Sequence, residues 1–522
     1  MPTIFGYNLE LAWKRLKLDR KDRCFVSHPF LIQLIEQDLN GWLTRIAENL
    51  SVGYNPMSAV VCYEPKPGWL LRPGCTLRIE DELVYTATLG FLLPKIEIIL
   101  RWAQGKTDTS YILQKDHNAV KWVKSGFLAW DDFRQKSLTI ARKSEFVVTI
   151  DVSAFYENID IDRLISDLRN VGVEPREVKL LSACLNRWAE PRRKGIPQGY
   201  TASDILAKLY FNSVDQAIAN EGYTHLRYVD DIRIFCSDLH EAKSSLHLII
   251  DRLRLRGLNV QSAKTEIMRA DKAIVKIDGV TPVIRSIAGE LATELRELGV
   301  TTDYNISLQE LERIISESPV APSAEVLVQA FKSHFLESAG EEFDCTLFHY
   351  ILTRLGLLKS REAVLFCLSL LPRRPEETKF ILKYFADIHL NMDEIESIVN
   401  FVGSTEATNA FQIYQILKFF YETDVTHEKA LSLVRKFIRD RNFPSWLRSY
   451  AYVLIGRIGT TADLEHIESL YSNAEHSIEH VDIICALHRY ERVRRNAFLA
   501  RTMNDGFFEA QSVRWVRQKS GS

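Results

Sequence analysis

The sequence predicts a chain of two unlike parts, an α+β part to about residue 280 and an all-α part after it. Three observations carry this reading. Residues 146–151 form an apolar, β-type run that ends in an acid. Residues 226–235 read as two β-prone runs joined by a tight turn, with Asp230 and Asp231 at its tip. From about residue 290 nearly every segment repeats apolar residues at three-and-four spacing.

Length and composition bound the rest. At 522 residues the chain is too long for one ordinary domain, and two or three are expected. Hydrophobic content of 46% and charged content of 26% are globular values. No run of about 20 apolar residues stands out and the first residues lack a signal pattern, so the expectation is a cytoplasmic protein without a membrane span. The eight cysteines are scattered without Cys-x-x-Cys pairs, which argues for reduced thiols and against zinc. A net charge of −2 means that any nucleic-acid groove must gather its cations locally.

In chain order, residues 1–60 read as amphipathic helices, over 9–16 and again over 29–50. Residues 51–67 are richer in Gly and Pro and suit a loop and short strand, with Tyr54 and Tyr63 inside. Arg72 and Arg78 precede a strongly apolar segment, 82–100. After the strand ending at Asp151, residues 153–156 can open a helix. Gly195 and Gly199 flank Gln198 ahead of an amphipathic run to Phe211, at a helix start whose dipole favours phosphate. Arg187, Arg192, Arg193 and Lys194 form a basic cluster just before this loop, suited to a template strand. The later helices read as antiparallel hairpins separated by short polar breaks. The tail combines Arg492, Arg494, Arg495, Arg501, Arg514 and Arg517 with Trp515, a composition that suits single strands.

Adjacent carboxylates are costly unless cations neutralise them. A strand delivering Asp151 opposite the Asp230–Asp231 turn gives three carboxylates from two strands. Such a set can hold two Mg²⁺ ions about 4 Å apart, the clamp for in-line displacement at a phosphate.

Asp-x-x-x-Phe-Tyr at 151–156, Gly-x-Pro-Gln-Gly at 195–199 and Tyr-x-Asp-Asp at 228–231, in that order, resemble a reverse transcriptase. Gly257-Leu258 through Lys264-Thr265 resembles the segment that follows in that family, and Leu71-Arg72-Pro73 and Leu77-Arg78-Ile79 its basic fingers segments. The resemblance implies a right-hand polymerase, fingers and palm with an antiparallel palm sheet, followed here by an all-α, HEAT-like helical domain. The expected boundaries are 1–145 for the N-terminal helices and fingers, 146–280 for the palm and 285–522 for the helical domain. It implies Mg²⁺ as cofactor, two ions with Mn²⁺ as substitute, on Asp151, Asp230 and the Val152 carbonyl, with Asp231 assisting. It gives Lys264 the leaving pyrophosphate, Arg78 the triphosphate and Gln198 the nucleotide or template. Tyr156 falls where the family places a ring beneath the sugar, favouring deoxynucleoside triphosphates. Tyr200, Asp204 and Lys208 depart from the family pattern and put ordinary primer–template handling in doubt.

No RNase H set, maturase segment or nuclease accompanies the palm. A palm joined directly to a large helical domain resembles the abortive-infection (Abi) reverse transcriptases of bacterial phage defence. That resemblance implies DNA synthesis primed on the protein itself, in some cases without a template, a single-stranded DNA product, and homo-oligomers. Tyr7, Tyr54 and Tyr63 are the candidate priming residues. Two other readings stay open: a retron or mobile-element-like enzyme copying RNA, and a non-catalytic scaffold binding RNA or a phage protein.

Overall fold

The computed structural model describes residues 3–22, 25–124, 126–278, 307–318, 322–337, 343–474 and 477–520, together with Leu295. A two-stranded ribbon, β1 (Thr3–Ile4) and β2 (Tyr7–Asn8), leads into helices α1 (Leu9–Asp22), α2 (Leu31–Glu36) and α3 (Leu39–Val52). A seven-residue antiparallel hairpin follows, β3 (Val60–Lys66) with β4 (Leu70–Thr76), Lys66 opposite Leu70. The short strand expected within residues 51–67 is β3. Helix α4 (Ile79–Leu100) comes next.

By length and composition α4 is the one described helix apolar enough to cross a membrane, but most of it is buried. A helix that is apolar nearly all round belongs in an interior. Ile79, Leu83, Val84 and Ala87 enter one core, while Leu89, Leu92, Leu93 and Ile96 enter a second. It is the rod on which two cores are built.

The second core lies under a four-stranded antiparallel sheet of order β6-β7-β5-β8, formed by β5 (Phe146–Asp151), β6 (Thr224–Tyr228), β7 (Asp231–Cys236) and β8 (Glu266–Arg269). Alternation assigns its faces. Val148, Ile150, Ile232 and Ile234 join that core with α7 (Ile161–Asn170), α9 (Thr201–Asn220) and α10 (Leu239–Leu255). Val147, Leu226, Tyr228 and Phe235 meet Trp130 and Phe133 of α5 (Gly126–Ala141) and Ala273 and Ile277 of α11 (Ala270–Asp278).

Beyond residue 307 the described chain is helical. Helices Cys345–Leu357, Thr378–Ile388, Ala410–Glu422, Ser445–Ile458, Ser477–Ala486 and Phe507–Lys519 each pack on the next, and the helices between them lie alongside. Their inward faces are buried, and Leu447 to Gly456 is buried without a break. The stack shares one core with the N-terminal helices, so that core runs across the expected 1–145 and 285–522 units.

The seam is polar as well as apolar. Ser27 donates its backbone N–H to the Tyr414 hydroxyl at 2.8 Å, and His28 Nε2 lies 2.7 Å from Asp482 Oδ1. Phe30 packs against Trp515 with ring centroids 4.6 Å apart. Trp515, read from the sequence as an aromatic for single strands, is 7% exposed, because the terminal helix closes the core instead of fraying. Phe30→Ala should destabilise the seam by about 3–5 kcal/mol, the usual cost of deleting a buried Phe. Thermal unfolding would read it, and an unchanged midpoint would contradict the docking.

Candidate active site

Antiparallel pairing of β5 with β7 sets Asp151 opposite Asp231, and the β6–β7 turn puts Asp230 beside them. Both strands are held through their apolar inner residues, so the register cannot slip without turning those side chains out of the core. Backbone bonds close the cluster: Val152 donates to the Asp230 carbonyl at 3.2 Å, and Gln261 donates to the Asp151 carbonyl at 2.7 Å. The Val152 carbonyl accepts no backbone N–H from the described residues, leaving it available as the fourth oxygen expected there.

The acids repel one another. Burial, then Asp151, pushes Asp230 up to about 6, and burial, then Asp230 and Asp151, pushes Asp231 up to about 7. Lys264 Nζ stands 2.9 Å from Asp151 Oδ2, and that hydrogen bond raises its own pKa. Lys66, on the hairpin end, is depressed by burial, then by Arg72 and Lys264, while Asp230 pulls it the other way. Lys264 and Lys66 therefore act on the carboxylates, while Arg72, ion-paired with Glu64 at 3.4 Å, lies near Lys66. Lys66 was not singled out in the sequence; its only signal was a basic residue in a segment that reads as loop.

The donor set fits divalent cations: hard carboxylate oxygens crowded enough to resist ionising together. Among the described residues no three acids, histidines or cysteines already close on one point as a cage. Asp151 is held by Lys264, which an incoming ion would have to displace.

The remaining predicted residues are spread around this cluster. Gln198 is half-buried on the loop before α9 and has no hydrogen-bond partner among the described residues. Gly195 has φ +89°, and a Cβ there would lie 2.9 Å from the Glu157 carbonyl, so the loop runs against α6 (Phe155–Asn158). The phosphate-binding helix start expected at α9 is already filled. Asp19 of α1 accepts from Thr201 N at 3.1 Å and Thr201 Oγ1 at 2.8 Å, so the dipole is satisfied by protein. The Tyr200 hydroxyl accepts from Leu77 N at 3.0 Å and donates to the Cys75 carbonyl at 3.1 Å, tying the hairpin to the loop. The Tyr156 hydroxyl donates to Asp204 at 2.5 Å, which gives that departure from the family pattern a structural reason. Arg78 heads α4, where its charge acts on Glu80 and Asp81; the cations acting on Asp230 are Lys264 and Lys66.

Arg187 and Arg192 pair with Glu190 and Glu157, while Arg193 and Lys194 are exposed. Two priming candidates are corrected. Tyr7 is 1% exposed in the ribbon core, with burial pushing its hydroxyl up to about 12. Tyr54 donates to Asp81 at 2.5 Å, and burial followed by Asp81 raises its pKa strongly. Neither lies on a free segment. Tyr63 is 54% exposed on β3.

Residues 97–302 match the family model for reverse transcriptase (RNA-dependent DNA polymerase). The matched stretch is less than half of the chain, and it is there that the chain is similar to a reverse transcriptase domain. Such a domain is an RNA-directed DNA polymerase, a nucleotidyltransferase that works with divalent metal ions. No curated protein matches the chain. Among solved structures it is similar to apo telomerase from Candida tropicalis truncated from its C-terminal domain, at 14% identity and a TM-score of 0.30, over 44% of this chain and 54% of that one. It is also similar to apo telomerase from Candida tropicalis (13%, TM-score 0.33, 82% and 77%). A third similarity is to Candida albicans telomerase in complex with a fragment of telomeric RNA (12%, TM-score 0.31, 77% and 72%). The chain thus spans about half the length of the first of these.

Because Asp231 is held above the ordinary Asp value of 3.8, the folded state prefers its protonated form. The charge therefore costs stability above pH 7, and the cost fades as pH falls toward 4. In EDTA at pH 8, Asp231→Asn should melt above wild type, with the gap narrowing toward pH 5. A variant that melts below wild type at pH 8 would contradict the crowding.

Proposed function

We propose that the protein is a DNA polymerase of reverse transcriptase type, transferring deoxynucleotides with release of pyrophosphate. The observation that carries the reading is the meeting of Asp151, Asp230 and Asp231 at one strand register, with Lys66 and Lys264 acting on Asp230. Asp151, Asp230 and the Val152 carbonyl would hold the metals, Mg²⁺ or Mn²⁺, with Asp231 assisting. Two such ions would activate the attacking hydroxyl and stabilise the leaving oxygen. Lys264, released from Asp151, is then placed to neutralise pyrophosphate or give it a proton. Lys66 takes the triphosphate role that the sequence suggested for Arg78, since the hairpin brings it within reach of Asp230. Gln198, unpartnered on its loop, is left for the base or template. Asp230→Asn should lower incorporation by about 10³-fold or more while the fold survives, the cost of losing a metal ligand at a phosphoryl centre. A variant that incorporates nucleotide near the wild-type rate would return the non-catalytic scaffold reading to the front.

The sugar gate is Tyr156. Its ring packs beside Phe155, 5.5 Å between centroids, and its hydroxyl is fixed by Asp204. Phe155 is buried against Phe211 and belongs to the core. Tyr156→Val should admit ribonucleotides, read by comparing both sugars under matched conditions. An unchanged preference would move the gate elsewhere.

In the narrower reading the enzyme acts in phage defence, as an abortive-infection type polymerase making single-stranded DNA on itself as a homo-oligomer. Support comes from the chain order, a palm followed by a helical stack. Of the three tyrosines only Tyr63 offers an exposed ring, on the hairpin that carries Lys66 to the acids.

A further inference from the structure

Arg227 lies one strand residue before Tyr228 and faces away from it, buried beneath the sheet. Its guanidinium uses every edge. Nη2 donates to Asp108 Oδ2 at 2.8 Å and Asp215 Oδ2 at 2.7 Å, and Nε donates to Asp215 Oδ1 at 3.0 Å. Nη1 donates to the Val229 carbonyl at 2.9 Å. The group lies 4.5 Å over the Phe211 ring. Lys208 Nζ, 3.0 Å from Asp108, supplies the second cation for two buried acids, and His225 approaches Asp215 at 3.5 Å. The main chain is fixed too: Arg227 N donates to the Thr107 carbonyl at 2.7 Å, and its own carbonyl accepts from Thr109 N at 3.0 Å.

The contact with Val229 gives this network a task beyond neutralising itself. Val229 is β-branched yet has φ +56°, a left-handed conformation that such residues resist. The next residue is Asp230, whose carbonyl accepts from Val152. If the turn relaxed, Asp230 and Asp231 would swing away from Asp151. We infer that Arg227 is a positioning residue for nucleotidyl transfer: clamped between Asp108 and Asp215, it holds the Val229 carbonyl and keeps the strained turn aiming its two acids at Asp151. The inference rests on the reading of those acids as metal ligands.

Arg227→Lys keeps the charge, but one ammonium cannot span both carboxylates and the carbonyl. Mn²⁺ binding, followed by electron paramagnetic resonance, should weaken by about tenfold or more, as when other groups that orient metal ligands are lost. The kcat for incorporation should fall by about 100-fold, the cost of an ångström-scale misplacement, with little change in the nucleotide KM. Glycine adopts the left-handed turn without strain. Adding Val229→Gly to Arg227→Lys should therefore recover part of both Mn²⁺ affinity and kcat, which a purely structural role would not predict. Wild-type metal binding and turnover in Arg227→Lys overturns the inference, as does a loss that Val229→Gly leaves untouched. Should Arg227→Lys fail to fold, Asp108→Asn carries the test: it loosens the anchor and should weaken Mn²⁺ binding to a smaller degree, and wild-type affinity there is equally fatal. Absence of Mn²⁺ binding by the wild-type protein sinks the metal-ligand reading and this inference with it, a result distinct from undiminished binding in the variant.

Discussion

Everything around the active site answers to one constraint: three carboxylates are forced together by an antiparallel register. Asp151 and Asp231 face each other because Val148, Ile150, Ile232 and Ile234 must stay in the core beneath them. Burial and then repulsion among the acids are the cost of that register, and together they raise Asp230 and Asp231. The protein tolerates it because the rest of the sheet is pinned elsewhere. Cations are stationed opposite: Lys264 on Asp151, Lys66 within reach of Asp230, and Arg233 on the strand of Asp231. These cations soften the repulsion without removing it, since Asp230 and Asp231 remain raised.

The elements that would carry substrate are tied to the acids by long-range polar contacts. The β3–β4 hairpin is anchored through Tyr200, whose hydroxyl reaches Cys75, Leu77 and Glu82. Helix α1 reaches the same place from the other side, with Asp19 capping α9 and Arg20 making a paired contact with Glu82 at 2.7 and 2.8 Å. The helical stack is joined to this assembly through Ser27, His28 and Phe30. Palm, hairpin and helical stack are therefore mechanically connected through the first thirty residues, and a change in the stack has a route toward the hairpin.

What the sequence made legible was local. A β-type run ending at Asp151, a tight turn with two acids and a Gly-bounded loop at Gln198 are short-range patterns, and the structure forms all three. The helical character after residue 307 was legible for the same reason. Which of those helices packs on which was not, because no strict period marks it. Contacts across hundreds of residues also leave no periodic trace. Nothing near Thr201 announces that Asp19 fills the helix start, and nothing near Tyr54 announces Asp81. Lys66 reads as a loop residue until the hairpin register places it. Tyr7, a priming candidate from the sequence, is buried by the short ribbon against Phe91 at 5.4 Å between ring centroids. Lys208 looked like a departure from the family and is a buried partner of Asp108.

The central claim is that the strand register builds a divalent-metal site from Asp151, Asp230 and Asp231. Anomalous diffraction from crystals soaked in Mn²⁺ tests it most directly. The account predicts anomalous density between Asp151 and Asp230, with Lys264 displaced from the Asp151 carboxylate. Crystals that take up Mn²⁺ elsewhere, with Lys264 still on Asp151 and no density among the three acids, would contradict it.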